Sequence, residues 1–172
     1  TWTEMLAGTE AVGRIIVHPT NPDIVYVAAL GAAWRASPER GLYKTIDGGK
    51  TWVNTKFISN QAGFVDVAMD PRNPNVLYAA SWQRVRGPYF LNSGGPGSGL
   101  WKTIDGGAKW AEVKGGGFPD GMKGRIGLAV ALSNPNIVYA MVEAIAPEAG
   151  AAGAPGAQRR SGIYRSADAG RT

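Results

Sequence analysis

Short apolar runs recur along the chain, and each run ends at residues that favour turns. The runs form three sets, of which the first is apolar and the second is rich in β-branched and aromatic side chains. Runs of this length and composition predict β-strands, so we expect an all-β protein. A fourth strand is expected after each turn of the third set, beginning at Thr51 and Lys109. The three sets lie at 14–17, 66–69 and 125–130; at 24–28, 76–80 and 137–141; and at 42–45, 100–103 and 163–166.

Two turn motifs repeat in a fixed order. The sequence at 45–52, Thr-Ile-Asp-Gly-Gly-Lys-Thr-Trp, recurs at 103–110 and, in part, at 166–172. Its aspartates are 58 and 63 residues apart, and Asp-Gly between two strands favours a tight turn because Gly accepts positive φ. An Asn-Pro motif precedes each second strand, at 21–22, 73–74 and 134–135. Two motifs at nearly one period predict a tandem repeat of one structural unit.

The repeat unit, four antiparallel strands in roughly 57 residues, is typical of a β-propeller blade. We place the blades at about 3–52, 53–110 and 111–172, so the domain at 1–172 is a partial β-propeller of three blades. Both ends fall within the aspartate motif and look cut, and a closed ring needs about four blades or more. We therefore expect the blades to be part of a larger propeller. The two blade faces left uncovered in this chain would be covered by a longer polypeptide, by self-association or by a docked partner.

Composition narrows the function classes. With 25 Gly and 11 Pro among 172 residues the chain is too interrupted for a helical bundle, whereas 44% hydrophobic residues are too many for a disordered chain. It has no apolar run long enough for a transmembrane helix. The absence of Cys and the single His argue against a disulfide scaffold or a metal site, and we expect no cofactor. The net charge of +5 is scattered, and without a recognised module it does not predict nucleic-acid binding.

The aspartate motif, Ser/Thr-x-Asp-x-Gly-x-Thr-Trp, resembles the Asp-box or BNR repeat. The chain is similar to the Asp-box β-propeller superfamily, and closest to bacterial BNR-like repeat proteins and the sortilin-like N-terminal propeller. Sialidases, xyloglucan-specific glycosidases and the photosystem II stability/assembly factor are more distant relatives. A short carboxylate in a tight turn accepts backbone hydrogen bonds, and three equivalent aspartates cannot each be one active site. The motif is thus expected to be structural, at Asp47, Trp52, Asp105, Trp110 and Asp168.

Strand direction separates the turns from the long loops. Both repeated turns fall at one end of the blades, the bottom, and the variable loops fall at the top, where recognition surfaces usually lie. The second top loop ends in a glycine-rich stretch at 92–98 that we expect to be flexible, and the third, 144–161, is Ala-, Gly- and Pro-rich. Aromatic and Arg side chains suit protein interfaces and glycan stacking, although the Trp rings packing under their own loops would be a structural alternative. The top-loop candidates are Trp34, Arg35, Arg40, Trp82, Arg84, Arg86, Tyr89 and Phe90.

A further candidate group lies where the first strands begin, near the top of the central channel. Arg14, Asp66 and Arg125 share one side of these strands. They form either a ligand-binding trio or a structural salt bridge that lines the channel.

These observations lead to two functional hypotheses. The first is a non-catalytic module that binds a protein or a glycan, which the resemblance places on the extracytoplasmic side of a membrane complex, such as a photosynthetic one, as an accessory or assembly subunit. The second is a secreted glycoside hydrolase of the sialidase or xyloglucanase type, which needs two carboxylates flanking the bond. The top-side carboxylates show no characteristic spacing, so we assign no catalytic residue; they are Glu39, Asp66, Glu143 and Glu148.

Overall fold

The protein is described by a computed structural model for residues 1–144 and 161–171. Within these residues the chain forms β-strands and turns and no helix, which confirms the all-β expectation. The strands assemble into three antiparallel sheets. The first sheet contains β1 (Val12–Val17), β2 (Val25–Ala29), β3 (Gly41–Thr45) and β4 (Val53–Lys56). The second sheet contains β5 (Ala62–Met69), β6 (Leu77–Arg86), β7 (Leu91–Ser93), β8 (Gly99–Thr103) and β9 (Ala111–Glu112). The third sheet contains β10 (Lys123–Val130), β11 (Val138–Ala144) and β12 (Gly162–Ser166).

Each sheet follows the same up-and-down path, with sequential strands paired as neighbours except for β7, which pairs with the extension of β6 beside the path β5-β6-β8-β9. The strands that follow the aspartate motif, β4 and β9, pair with β3 and β8 respectively. The first and second sheets therefore continue past positions 52 and 110. A bulge near the start of each first strand interrupts the register at Val12/Arg14, Phe64/Asp66 and Lys123/Ile126. Bulges of this kind increase the local twist of a sheet.

The three sheets stack face to face, with the second sheet in the middle. We call the face directed toward the following sheet the front face and the other the back face. One core lies between the front of the first sheet (Tyr26, Ala28, Leu42) and the back of the second (Val67, Leu77, Ala79). The other lies between the front of the second sheet (Ala68, Tyr78, Ala80, Leu100) and the back of the third (Leu128, Val138, Ala140). Four-stranded sheets joined face to face in sequence are the blades of a β-propeller.

The two outer faces of the stack carry large apolar side chains that stay exposed. On the back face of the first blade, Ile15 and Val17 are 59% and 52% exposed. On the front face of the third blade, Met141 and Ile163 are 55% and 76% exposed. These side chains occupy every second position of their strands and so share one face, as do the corresponding buried side chains of the second blade.

The second top loop is more regular than the sequence suggested. Strand β6 runs beyond the blade to Arg86 and forms a hairpin with β7. The stretch 92–98, expected to be flexible, is held by backbone hydrogen bonds from Gly94 N to Gln83 O (2.8 Å) and from Ser98 N to Gly95 O (3.0 Å). The glycines of this stretch serve the turns of a hairpin. Most of the third top loop, residues 145–160, lies outside the described residues.

Candidate functional site

Each aspartate motif folds into a closed network of hydrogen bonds, which we call an aspartate turn (residues 45–52, 103–110 and 166–171). In the first turn, Asp47 Oδ1 accepts hydrogen bonds from Thr45 Oγ1 (2.7 Å) and from Thr51 N (2.9 Å). Thr45 Oγ1 accepts one from Gly49 N (2.9 Å), and Trp52 Nε1 donates to Gly49 O (3.0 Å). The hydrogen bonds from Thr51 and Thr45 hold the pKa of the Asp47 carboxyl well below its usual range.

The second and third turns repeat the hydrogen bonds of the carboxylate and of the Thr or Ser hydroxyl, but not the Trp Nε1 bond: Trp110 Nε1 is buried without a partner among the described residues, and the third turn has no Trp. Asp105 Oδ1 accepts from Thr103 Oγ1 (2.7 Å) and from Lys109 N (2.9 Å), and the bond from Lys109 N is the main cause of a lowered pKa at Asp105. Asp168 Oδ1 accepts from Ser166 Oγ (2.7 Å) and from Arg171 N (2.9 Å). Each carboxylate therefore bonds to its own turn. This is the arrangement of a folding element.

A pair of side chains joins the second aspartate turn to the preceding blade, and the sequence analysis missed it. Tyr26 Oη and Lys44 Nζ both donate to the carbonyl of Gly106, at 2.9 Å and 2.8 Å. Lys44 Nζ also lies 5.3 Å from the centre of the Tyr26 ring. Burial, aided by Asp105, raises the pKa of Tyr26 to about 12, and burial lowers the pKa of Lys44.

The next joint uses the same pair. Tyr78 Oη and Lys102 Nζ donate to the carbonyl of Ala169, at 2.7 Å and 2.6 Å. We call each such pair the tyrosine–cation clamp. A signal for it was present in the sequence, because a Tyr ends every Asn-Pro motif and a Lys follows each Gly-Leu-aromatic triplet at 41–43 and 99–101.

Arg40 was expected on the exposed top surface, and this expectation was wrong. Its side chain is 1% exposed and lies beneath the first top loop. The guanidinium donates to the carbonyls of Leu30 (2.7 Å) and Ala32, and to that of Arg84 in the neighbouring blade (3.3 Å). Burial lowers the pKa of Arg40. Arg40 thus shapes the loop and is not available to a ligand.

The other top-loop candidates form a surface that crosses from the first blade to the second. Trp34 is 61% exposed, and the guanidinium of Arg86 lies 4.7 Å from the centre of its ring. A backbone hydrogen bond from Arg86 N to Ala33 O (3.3 Å) fixes the β6–β7 hairpin against the first loop. The hairpin tip adds Tyr89 and Phe90, which are 100% and 54% exposed.

Trp82 and Arg35 contribute less to this surface. Trp82 is partly buried and packs against the core between the second and third blades, with the guanidinium of Arg84 5.3 Å from its ring centre. Arg35 is exposed but forms a salt bridge with Glu10. We therefore define the top surface as Trp34, Arg84, Arg86, Tyr89 and Phe90.

The structure brings together two members of the channel group. Arg14 Nε lies 3.2 Å from Asp66 Oδ1, and Asp66 Oδ2 accepts a hydrogen bond from Leu128 N (2.8 Å) in the third blade. Counted from the Asn-Pro motif, the residue of the third blade that corresponds to Arg14 and Asp66 is Gly127, and Arg125 lies two positions earlier. The backbone N of Arg125 donates a hydrogen bond to Glu143 Oε2 (2.9 Å). Asp66 therefore links first strands across the channel.

The remaining top-side carboxylates are also engaged. Glu39 accepts a hydrogen bond from Ser37 Oγ, which lowers the pKa of Glu39. Glu143 Oε2 accepts from Ser93 Oγ (2.8 Å) as well as from Arg125 N. Glu148 lies outside the described residues. In the described part of the chain, no three His, Asp or Glu side chains are grouped as metal ligands would be.

No helix in the described ranges is long and apolar enough to cross a bilayer. No protein-family model matches the chain, and no curated protein matches it.

Solved structures resemble the fold along nearly the whole chain. An ancestral GH74 enzyme superposes with a TM-score of 0.62 at 20% identity, over 97% of this chain and 18% of that one. The GH74 xyloglucanase from Xanthomonas campestris gives 0.59 at 19% identity, over 96% and 23% of the two chains. YCF48 bound to D1 peptide gives 0.55 at 17% identity, over 98% and 40%.

The stacked sheets and these likenesses define the class of protein: the chain forms blades of a β-propeller. It contains three of them and spans between 18% and 40% of the length of the structures it resembles.

Proposed function

We propose that the chain is a non-catalytic binding module that recognises an extended acidic protein segment through its top surface. The observation that carries this proposal is the Trp34–Arg86 pair, set beside the exposed Tyr89 and Phe90. Aromatic rings supply contact area at little cost in side-chain entropy, and Arg and Trp are frequent in binding hot spots. Arg84 and Arg86 give the surface a positive charge. A glycan that stacks on Trp34 is the second ligand class to be tested.

Two further observations support a protein ligand. YCF48, which shares the fold, was solved bound to the D1 peptide. Each described top-side carboxylate also accepts hydrogen bonds from its own surroundings, which is the role of a structural group. The aspartate turns support membership of the Asp-box superfamily. From that resemblance we propose an extracytoplasmic accessory or assembly role at a membrane complex, which cell fractionation would test.

The experiment compares binding of labelled acidic peptides with binding of xyloglucan. The double variant Trp34→Ala/Arg86→Ala should weaken peptide binding by about tenfold or more, since both members of a hot-spot pair are lost. Trp2→Ala and Lys50→Ala are matched controls, because Trp2 is fully exposed away from the top surface and Lys50 lies in the first aspartate turn. Both controls should bind as the unchanged protein does.

Equal peptide affinity in the double variant would contradict the proposal. If the unchanged protein hydrolyses xyloglucan and the Asp66→Asn variant does not, the glycosidase hypothesis would replace this proposal.

A further inference from the structure

The front face of the third blade carries the residue types that form the two internal joints. Tyr139 corresponds to Tyr26 and Tyr78 at the end of the Asn-Pro motif, and Arg165 corresponds to Lys44 and Lys102. Tyr139 pairs with Arg165 across β11 and β12, as Tyr26 pairs with Lys44 and Tyr78 with Lys102. The third blade therefore carries the two residues from which a third tyrosine–cation clamp could form.

This third clamp faces outward. Tyr26 and Tyr78 are 2% and 1% exposed and each bonds to a turn carbonyl, whereas Tyr139 is 41% exposed. Among residues 1–144 and 161–171, no turn carbonyl lies against Tyr139 and Arg165. The neighbouring Ile163 is exposed, although its counterparts Leu42 and Leu100 are buried.

The back face of the first blade carries the complementary half of such a joint. Ile15 and Val17 are exposed. Their counterparts in the second blade, Val67 and Met69, pack against the first blade. The carbonyl acceptor of this half is that of Gly48, which corresponds to Gly106 and Ala169. Gly48 N donates to Asp23 O (3.0 Å), just as Gly106 N donates to Asn75 O (2.9 Å) and Ala169 N to Asn136 O (2.8 Å). The first turn thus has the orientation that a clamp requires.

We propose that the front face of the third blade binds the back face of the first blade in a second copy of this chain. Tyr139 and Arg165 of one copy donate to the Gly48 carbonyl of the other, and Met141 and Ile163 cover Ile15 and Val17. A second copy is the occupant because every copy presents both halves of a joint that the chain already forms twice. Such a contact is head-to-tail, and it closes only if its rotation completes a circle. Two copies contribute six blades, within the roughly four to eight of known propellers.

The N-terminal segment is placed to take part in this joint. Met5 and Leu6 lie over the back face of the first blade, beside Gly48 and Gly49. Strand β4 lies in the same relation to the second turn, where Val53 and Thr55 border Gly106 and Gly107. In the assembly, Met5 and Leu6 would therefore lie beside the acceptor turn of the joint, as Val53 and Thr55 lie beside the second turn.

Two complementary variants test the proposal on the 172-residue chain. Ile163→Glu places a charge on the front half and Ile15→Glu on the back half, and both positions are exposed within one chain, so its own fold is expected to persist. Sedimentation equilibrium should give twice the 18.1 kDa chain mass for the unchanged protein and the single mass for each variant. An equimolar mixture should recover a dimer held by one joint, because the undamaged front half of Ile15→Glu meets the undamaged back half of Ile163→Glu, whereas the other joint is kept open by its two Glu side chains. Leu132→Glu, which is 79% exposed in an Asn-Pro turn, is the control and should remain dimeric.

The clamp itself is tested by Tyr139→Phe/Arg165→Met, which removes both donors and leaves the apolar contacts. The dissociation constant of the dimer should rise by about tenfold or more. A monomeric unchanged chain, a variant mixture that stays monomeric, or dimers of Ile15→Glu alone would each overturn the proposal. Open-ended assembly beyond two copies would overturn the closed ring, and unchanged dissociation of the clamp variant would overturn the role of Tyr139 and Arg165.

Discussion

The residues that organise this protein are polar groups that bond to backbone carbonyls. Arg40 is the largest fully buried side chain and donates to carbonyls of its own loop and of the next blade. The tyrosine–cation clamps do the same at the bottom of the blades. Buried carbonyls are costly when left without a partner, so these donors hold the turns and loops in one conformation.

We expect Arg40→Met to lower the free energy of unfolding by about 3 kcal/mol, since it leaves buried carbonyls of Leu30 and Ala32 without a donor. Arg35→Met is the matched control, because Arg35 is exposed and its salt bridge with Glu10 contributes about 0.5 kcal/mol or less. Urea unfolding of both variants measures the difference. Equal stability of the two variants would contradict the structural role of Arg40.

At the scale of the element, the joint between blades is the unit that repeats. Strands β2 and β3 supply a Tyr and a Lys, and the aspartate turn after β8 supplies a carbonyl. The rest of the joint is apolar contact between flat sheet faces, with small Ala side chains at the centre that allow close approach. The apolar faces provide the area, and the clamp fixes how the two sheets are aligned.

A double-mutant cycle on Tyr26 and Lys44 tests the clamp. Tyr26→Phe should cost about 1 kcal/mol and Lys44→Met somewhat less, because the Gly106 carbonyl keeps one donor in each single variant. The double variant leaves this buried carbonyl with neither donor, so its cost should exceed the sum by roughly 1 kcal/mol. Tyr89→Phe, at a fully exposed position, should change nothing. Additive costs would show that the two donors act independently of the shared carbonyl.

The sequence predicted the strands well, because turn motifs mark both ends of most of them. The strands expected at 42–45 and 100–103 differ from β3 and β8 by one residue at the start. Arg40 could not be predicted in the same way, since nothing local distinguishes a buried Arg from the exposed Arg35 five residues earlier. The extension of β6 to Arg86 was hidden by turn-forming residues at 87–88 and 92–98, which belong to the hairpin. The clamp was missed because its partners are 62 to 91 residues apart.

At the scale of the whole molecule, stability depends on three aspartate turns that act alike. A carboxylate that accepts several hydrogen bonds is stabilised in its ionised form, so protonation weakens each turn. Among the strands of the described residues, the main contacts between blades join sequence neighbours, as in other repeat proteins. Loss of the second or the third turn therefore also weakens the clamp of the preceding blade.

Acid should destabilise the chain through these turns. The pKa values of Asp47 and Asp105 are lowered in the folded state from an ordinary value of 3.8. Their contribution is therefore fully present above about pH 4 and is lost as the pH falls through the folded-state values. Urea midpoints measured between pH 6 and pH 2 should fall steeply below pH 4, and less steeply in Asp47→Asn/Asp105→Asn. Asp120→Asn, in an exposed loop, should keep the full dependence, and a profile unchanged by the double variant would contradict the account.

The acceptor in every clamp is a main-chain carbonyl, and this has an evolutionary consequence. Gly106 and Ala169 both supply the carbonyl from a backbone of positive φ, so the incoming turn needs the right backbone path and a small residue, but no functional group in the side chain at that position. A gene duplication that adds one unit would supply both a new donor pair and a new acceptor, each already compatible with its neighbours. The number of units in such a chain can therefore change without any new partner side chain having to arise on the acceptor side.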